Sequence, residues 1–194
     1  MYELILKNIS RFVTLTPEEI QYFTSTLKEK KLKKRQFLVQ EGDVCRSTYF
    51  VNKGCLRSYY TDKDGVEHNI QFSIEDWWAG DMASFITQKP SKISVIALED
   101  SDLLVLDRQV QEDVFAKIPK FERFFRNLLQ NAFVSAQERI LANLSETAEE
   151  RYLNFRKKYP EMDRRLPQNQ IASFLGVTPE SLSRIRRAIS EKRG

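Results

Sequence analysis

Apolar positions along the chain fall into three regions of different period. In roughly the first 30 residues the spacing is helical. Thr16-Pro17-Glu18-Glu19 opens a helix, with a threonine cap, proline at the first helical position and acids at the positive end of the dipole. Ile20, Phe23 and Leu27 then recur on one face.

From about 31 to 108 the period shortens to that of strands. Tyr49-Phe50-Val51 and Cys55-Leu56-Arg57-Ser58-Tyr59-Tyr60 flank the turn Asn52-Lys53-Gly54. Asp62-Lys63-Asp64-Gly65 is a second turn, followed by the alternating His68-Asn69-Ile70-Gln71-Phe72. Ser94-Val95-Ile96-Ala97-Leu98 and Leu103-Leu104-Val105-Leu106 complete the series. Short strands with turns at regular spacing predict a small β-barrel or jelly roll.

From about 110 onward the helical period returns. Phe121, Phe124, Phe125, Leu128, Leu129, Ala132, Phe133, Ala136, Ile140 and Leu144 form one broad apolar stripe. It is wide enough to meet the β region on one side and a second copy of itself on the other; burial within a single core is the alternative. Ser145-Glu146-Thr147-Ala148-Glu149-Glu150 starts a further helix, which carries Tyr152, Leu153 and Phe155 and ends before Pro160. The predicted class is α+β: an N-terminal β-barrel or jelly-roll domain over residues 1–117, a long helix over 118–144 that either pairs with a second copy as a dimerisation helix or is buried in one core, and a C-terminal helical domain over 145–194.

Composition adds little to this and excludes much. With 41% hydrophobic and 30% charged residues in 194, the chain reads as an ordinary soluble globular protein. It has no apolar run of membrane-spanning length and no signal-peptide pattern, so a cytoplasmic location and no membrane partner are expected. Two cysteines, Cys45 and Cys55, and one histidine, His68, leave no credible metal site, and both thiols read as reduced and buried. No cofactor is expected, and without a Gly-rich phosphate loop no enzyme chemistry stands out.

Charge is placed unevenly. Residues 164–194 hold seven basic side chains against Glu180 and Glu191, while the remaining residues are close to neutral. A polyanion docking at that end is the natural reading.

The same end carries the informative motif. Gln168 to Leu175 makes a helix with Ile171, Ala172 and Leu175 on its apolar face. Gly176 supplies the positive-φ residue that stops it. Thr178 caps a second helix and Pro179 opens it. At about 100° per residue, Leu182, Ile185 and Ile189 face inward, and Glu180, Ser183, Arg184 and Arg187 face out. Such a face suits base edges in a major groove: Arg184 for guanine, Glu180 for a cytosine amino group. Arg186, toward the rim, suits a phosphate. Thr178 and Ser181 complete the candidate DNA-binding set.

This segment resembles the helix-turn-helix of Crp/Fnr-type regulators, whose motif reads Ile-Ala-x-x-Leu-Gly-Val-Thr-x-Glu-x-Leu-Ser-Arg. Gln40-Glu41-Gly42-Asp43, Tyr49 to Arg57 and Trp78-Ala79-Gly80-Asp81 resemble the successive turns of that family's cyclic-nucleotide-binding-like barrel. The resemblance implies a homodimer on double-stranded DNA, with RNA polymerase as a further partner. It places an effector pocket at Gly80, Asp81, Met82, Ala83, Ser84, Ser91 and Lys92.

Two departures qualify it. Cyclic-nucleotide binders of the family carry Gly-Glu for the ribose and an arginine for the cyclic phosphate; here Gly80-Asp81 and Ser91 stand at those places. A hydroxyl cannot replace a guanidinium fork, and Lys92 would substitute in part only with a register shift of one residue. Cyclic AMP is therefore not the expected effector, and another small molecule, or none, takes its place. Trp77 and Trp78 read as core aromatics or pocket lining. Second, no residues follow for the usual two-stranded wing, so affinity would lean on Lys192 and Arg193. A small-molecule sensor module acting through protein partners is the competing function.

Overall fold

The computed structural model describes residues 1–191. The chain divides into two compact units, one of residues 1–66 and 70–129, the other of residues 67–69 and 130 onward.

The first unit begins with helices α1 (Glu3–Ser10) and α2 (Pro17–Thr26). The cap read from sequence is present as a full capping box: Glu19 N donates to Thr16 Oγ1 at 3.3 Å, and Thr16 N donates to Glu19 Oε2 at 2.7 Å. Strands follow as β1 (Lys28–Leu32), β2 (Phe37–Val39), β3 (Ser47–Lys53), β4 (Leu56–Thr61), β5 (Glu67–Ser73) and β6 (Trp78–Ala79). A short helix α3 (Met82–Thr87) precedes β7 (Ser94–Ala97) and β8 (Ser101–Asp107). They form two four-stranded sheets, ordered β1-β8-β3-β6 and β2-β7-β4-β5. This is the jelly-roll architecture expected from the strand spacing.

Strand β8 explains how the barrel is clothed. Its run Leu103-Leu104-Val105-Leu106 is apolar without alternation because both faces are buried. Leu103 and Val105 join Tyr49, Val51, Leu56 and Val95 in the barrel interior. Leu104 and Leu106 join Phe50 on the outer face, against Ile5, Ile9 and Phe23 of the N-terminal helices. Both cysteines are buried, as read. Burial pushes the Cys45 thiol's pKa up, which keeps it protonated.

Trp78 belongs to this outer core and not to the barrel lumen. Its ring packs 5.2 Å from Phe125 and 5.5 Å from Phe50, and its indole Nε1 donates to Asn8 Oδ1 at 3.3 Å.

Helix α4 (Arg108–Lys117) leads into α5 (Lys120–Ser145), 26 residues long. Phe121, Phe124 and Phe125 at its start are buried in the outer core. The stripe then changes surroundings. Every residue from 129 to 138 is exposed, and Phe133 and Leu144 are 64% and 81% exposed. The single predicted stripe is thus a buried anchor followed by an open apolar face.

In the second unit, α5 is followed by α6 (Ala148–Lys158), α7 (Pro160–Arg165), α8 (Gln168–Leu175) and α9 (Pro179–Glu191). Helix α6 starts within the stretch read as its beginning, with Thr147 as the cap that closes a capping box with Glu150. Tyr152, Phe155, Met162, Leu166, Ile171, Ala172, Leu175, Leu182 and Ile189 make the core of this unit.

Candidate nucleic-acid interface

Helix α8 ends as the sequence required. Gly176 takes φ 67° and ψ 35°, and two backbone bonds close the end: Gly176 N to Ser173 O at 3.2 Å and Val177 N to Ala172 O at 3.0 Å. That pair of bonds is a Schellman motif, which only a residue tolerant of positive φ completes cheaply. The chain then turns at once into α9. Thr178 Oγ1 accepts from Ser181 N at 3.2 Å, giving the second helix its cap. Two further bonds brace the turn: Gln168 Nε2 to Pro179 O at 3.0 Å, and Arg151 Nε to Leu175 O at 3.1 Å.

The face of α9 follows from this geometry. Leu182 and Ile189 are buried, while Glu180, Ser183, Arg184 and Arg187 are exposed, together with Thr178 before them. Ser181 is half-buried on the flank. Arg187 is 83% exposed and bonds along its own helix, to Glu191 at 2.9 Å. The Glu180 carboxyl is held below the usual carboxylate range, first by its own backbone amide, then by Thr178, with the Arg184 charge adding to both. The outward face is therefore an ionised carboxylate, a hydroxyl and two guanidinium groups.

Arg186 is where the structure departs from the reading. It does not stand free on the rim. Its Nε donates to the Tyr152 hydroxyl at 2.9 Å, and its Nη2 pairs with Asp163 Oδ1 at 2.8 Å. Helical spacing turns it about 160° from Arg184, and it is half-buried where Arg184 is exposed. That flank faces α6 and α7, not solvent. Sequence reasoning missed Asp163 and Tyr152 because their role depends on how three helices meet. A basic residue near the inward side of a helix was the available signal. Lys192 and Arg193, expected to supplement the contacts, lie outside the described residues.

The proposed effector residues come together in the first unit, but they satisfy one another. Gly80 takes φ 128° between β6 and α3, and Asp81 caps α3. One oxygen of the buried Asp81 carboxylate accepts from Ala83 N at 3.0 Å, and the other from Ser91 Oγ at 2.7 Å. Ser84 Oγ accepts from Cys45 N at 2.9 Å and donates to Lys89 O at 2.6 Å. Met82 packs toward the barrel core, whereas Ala83 and Lys92 are exposed. The carboxylate and the hydroxyl at the two recognition positions are thus bonded to each other.

Residues 29–117 match the family model of the cyclic nucleotide-binding domain. The chain is 28% identical over 186 residues to an anaerobic regulatory protein of Haemophilus influenzae, covering 89% of this chain and 71% of that one. It is equally similar, at 28% over 186 residues, to a fumarate and nitrate reduction regulatory protein of Vibrio cholerae, covering 89% and 73%. Among solved structures, FixK2 of Bradyrhizobium japonicum superposes with a TM-score of 0.73 at 21% identity, over 86% of this chain and 85% of the other.

Proposed function

We infer that this chain, a DNA-binding transcription regulator of the Crp/Fnr type, reads operator sequence with the outward face of α9 as a homodimer. The observation that carries the reading is that face itself: Glu180, Ser183, Arg184 and Arg187 exposed together on a helix fixed by the Gly176 turn. Arg184 offers a bidentate fork to guanine O6 and N7, and Glu180 accepts from a cytosine amino group. Arg187 and Thr178, at the edges of the face, suit phosphates.

Dimerisation is supported by the open apolar strip of α5, which carries Leu129, Phe133, Val134, Ile140, Leu141 and Leu144. A strip of this size on one helix is self-complementary under a two-fold axis. Two α9 helices would then address half-sites about 34 Å apart. No helix among the described residues is long and apolar enough to cross a membrane. A cytoplasmic regulator acting with RNA polymerase fits these features.

The regulator works without cyclic AMP. The support is the bond from Ser91 to Asp81, which occupies the two groups a cyclic nucleotide would need, with Ser91 standing where the family's binders carry the arginine. A mobility-shift assay at stated salt tests the DNA reading, with an excess of random duplex as competitor. Retention of a complex on promoter DNA under that competition supports it, and loss of all binding opposes it.

A further inference from the structure

The recognition helix is not held by apolar packing alone. Three helices of the second unit converge on one carboxylate. Asp163, on α7, accepts from Arg186 of α9 at 2.8 Å through Oδ1 and pairs with Arg156 Nε of α6 at 3.3 Å through Oδ2. The Tyr152 hydroxyl, also on α6, donates to Asp163 Oδ1 at 3.1 Å while accepting from Arg186 Nε at 2.9 Å. Both guanidinium groups lie against the Tyr152 ring, 5.3 Å away for Arg186 and 5.6 Å for Arg156. Tyr152 is buried, and the Asp163 side chain is only 17% exposed. Burial also raises the pKa of the tyrosine hydroxyl, so it keeps the proton it donates.

This arrangement constrains a motion that apolar contacts leave soft. Leu182 and Ile189, buried nearly in one row along the helix, set how deeply α9 seats, with half-buried Ile185 about 60° to one side. So narrow an apolar strip resists translation better than rotation about the helix axis. Arg186 sits on the other side of that row, and its two-pronged contact resists roll. Side chains reach about 5–6 Å from a helix axis, so ~10° of roll moves a tip by about 1 Å. Bidentate base contacts do not survive displacements much larger than that.

We propose that Asp163 is a positioning residue for base readout: through Arg186 it fixes the roll of α9, and so the aim of Arg184, without touching DNA. The proposal rests on α9 reading DNA.

The test begins with a duplex site selected by the wild-type chain from random sequence. Binding to that site and to each of its single-base variants is then measured by fluorescence anisotropy at fixed salt. In Asp163→Asn, discrimination should fall about tenfold at the base pair that Arg184→Ala also relaxes. Binding to random duplex and its salt slope should stay within about twofold of wild type. Arg186→Met should show the same pattern, whereas loss of a phosphate contact would weaken all sequences and lower the slope by ~1. Thermal melts followed by circular dichroism show whether each variant is folded at the assay temperature. If Asp163→Asn is not, Tyr152→Phe, which removes one hydroxyl, carries the test and should relax the same base pair. Unchanged discrimination in a folded Asp163 or Tyr152 variant overturns the proposal. So does a uniform loss with a lower salt slope in Arg186→Met. A wild-type chain that selects no site overturns the DNA reading itself, and that outcome is visible before any variant is measured.

Discussion

Arg184 and Arg186 stand two residues apart on α9 and have opposite surroundings. Arg184 is exposed beside Glu180 and Ser183, while Arg186 is bonded to Tyr152 and Asp163. Two residues along a helix is a rotation of about 200°, so neighbouring arginines of one basic run necessarily part company. The consequence is a division of labour: one guanidinium is available to a ligand, and the other is part of the scaffold that presents it.

Replacing Arg184 with alanine is expected to cost ~1–3 kcal/mol of specific binding and to relax preference at one base pair. Its exposure means that the melting temperature should stay within the narrow range typical of surface substitutions. Replacing Arg187 should instead weaken binding to all sequences and lower the salt slope by ~1. Titrations of both variants at several salt concentrations separate the two patterns. An Arg184 variant that behaves like the Arg187 one would make Arg184 a phosphate contact.

The open half of α5 should decide the oligomeric state. Burying a side chain such as Phe133 or Ile140 is worth about 1.5–3 kcal/mol, and each would be buried twice across a two-fold axis. Phe133→Glu or Ile140→Glu should therefore convert a micromolar dimer into a monomer in sedimentation velocity, with the helical content retained. A wild-type chain that sediments as a monomer with and without DNA would contradict this.

The Asp81–Ser91 pair should behave as a structural contact. Ser91→Ala leaves a buried carboxylate short of one donor, at an expected cost of ~1–3 kcal/mol. Calorimetry of the unmodified chain with cyclic AMP should show no binding in the micromolar range. Sub-micromolar affinity would show that the pair opens to admit the ligand.

Asp107 is a source of acid sensitivity in the barrel. Asp107 accepts from Lys28 and from Ser47 Oγ, and those bonds, Lys28 first, hold its pKa below the usual carboxylate value. A carboxyl with a depressed folded pKa adds stability that is complete above its unfolded pKa and is lost as pH falls through the folded one. The pair is partly exposed, so its worth is about 0.2–1 kcal/mol. Asp107→Asn should be slightly less stable than wild type at pH 7, and the gap should close in denaturant titrations below pH 4. A gap that persists at low pH would mean that the substitution acts through packing.

Much of the fold could be read before the structure, and the exceptions have physical causes. Strands β3, β4, β5, β7 and β8 lie where apolar or alternating runs placed them, because burial on one or both faces dictates those patterns. Strand β1 was invisible, because Lys28-Glu29-Lys30-Lys31 has no apolar period. It is an edge strand, where lysines blunt unwanted pairing and the ladder to β8 supplies the structure. Helix α3 was missed because its start depends on a cap, Asp81, that the sequence marked only as a pocket residue. At the interface, periodicity was enough to orient Glu180, Ser183 and Arg184. It could not reveal that the flank holding Arg186 meets Tyr152 and Asp163, since neither is near it in sequence.

Whether α9 reads DNA sequence from a two-fold dimer is decided by selection of binding sites by the full chain from a random duplex library at physiological salt. A pseudo-palindrome whose half-sites are centred about one helical turn, ~34 Å, apart should be enriched. One position within each half-site should lose its preference in Arg184→Ala. Recovery of sequences with no common half-site, bound no more tightly than random DNA, would contradict that reading.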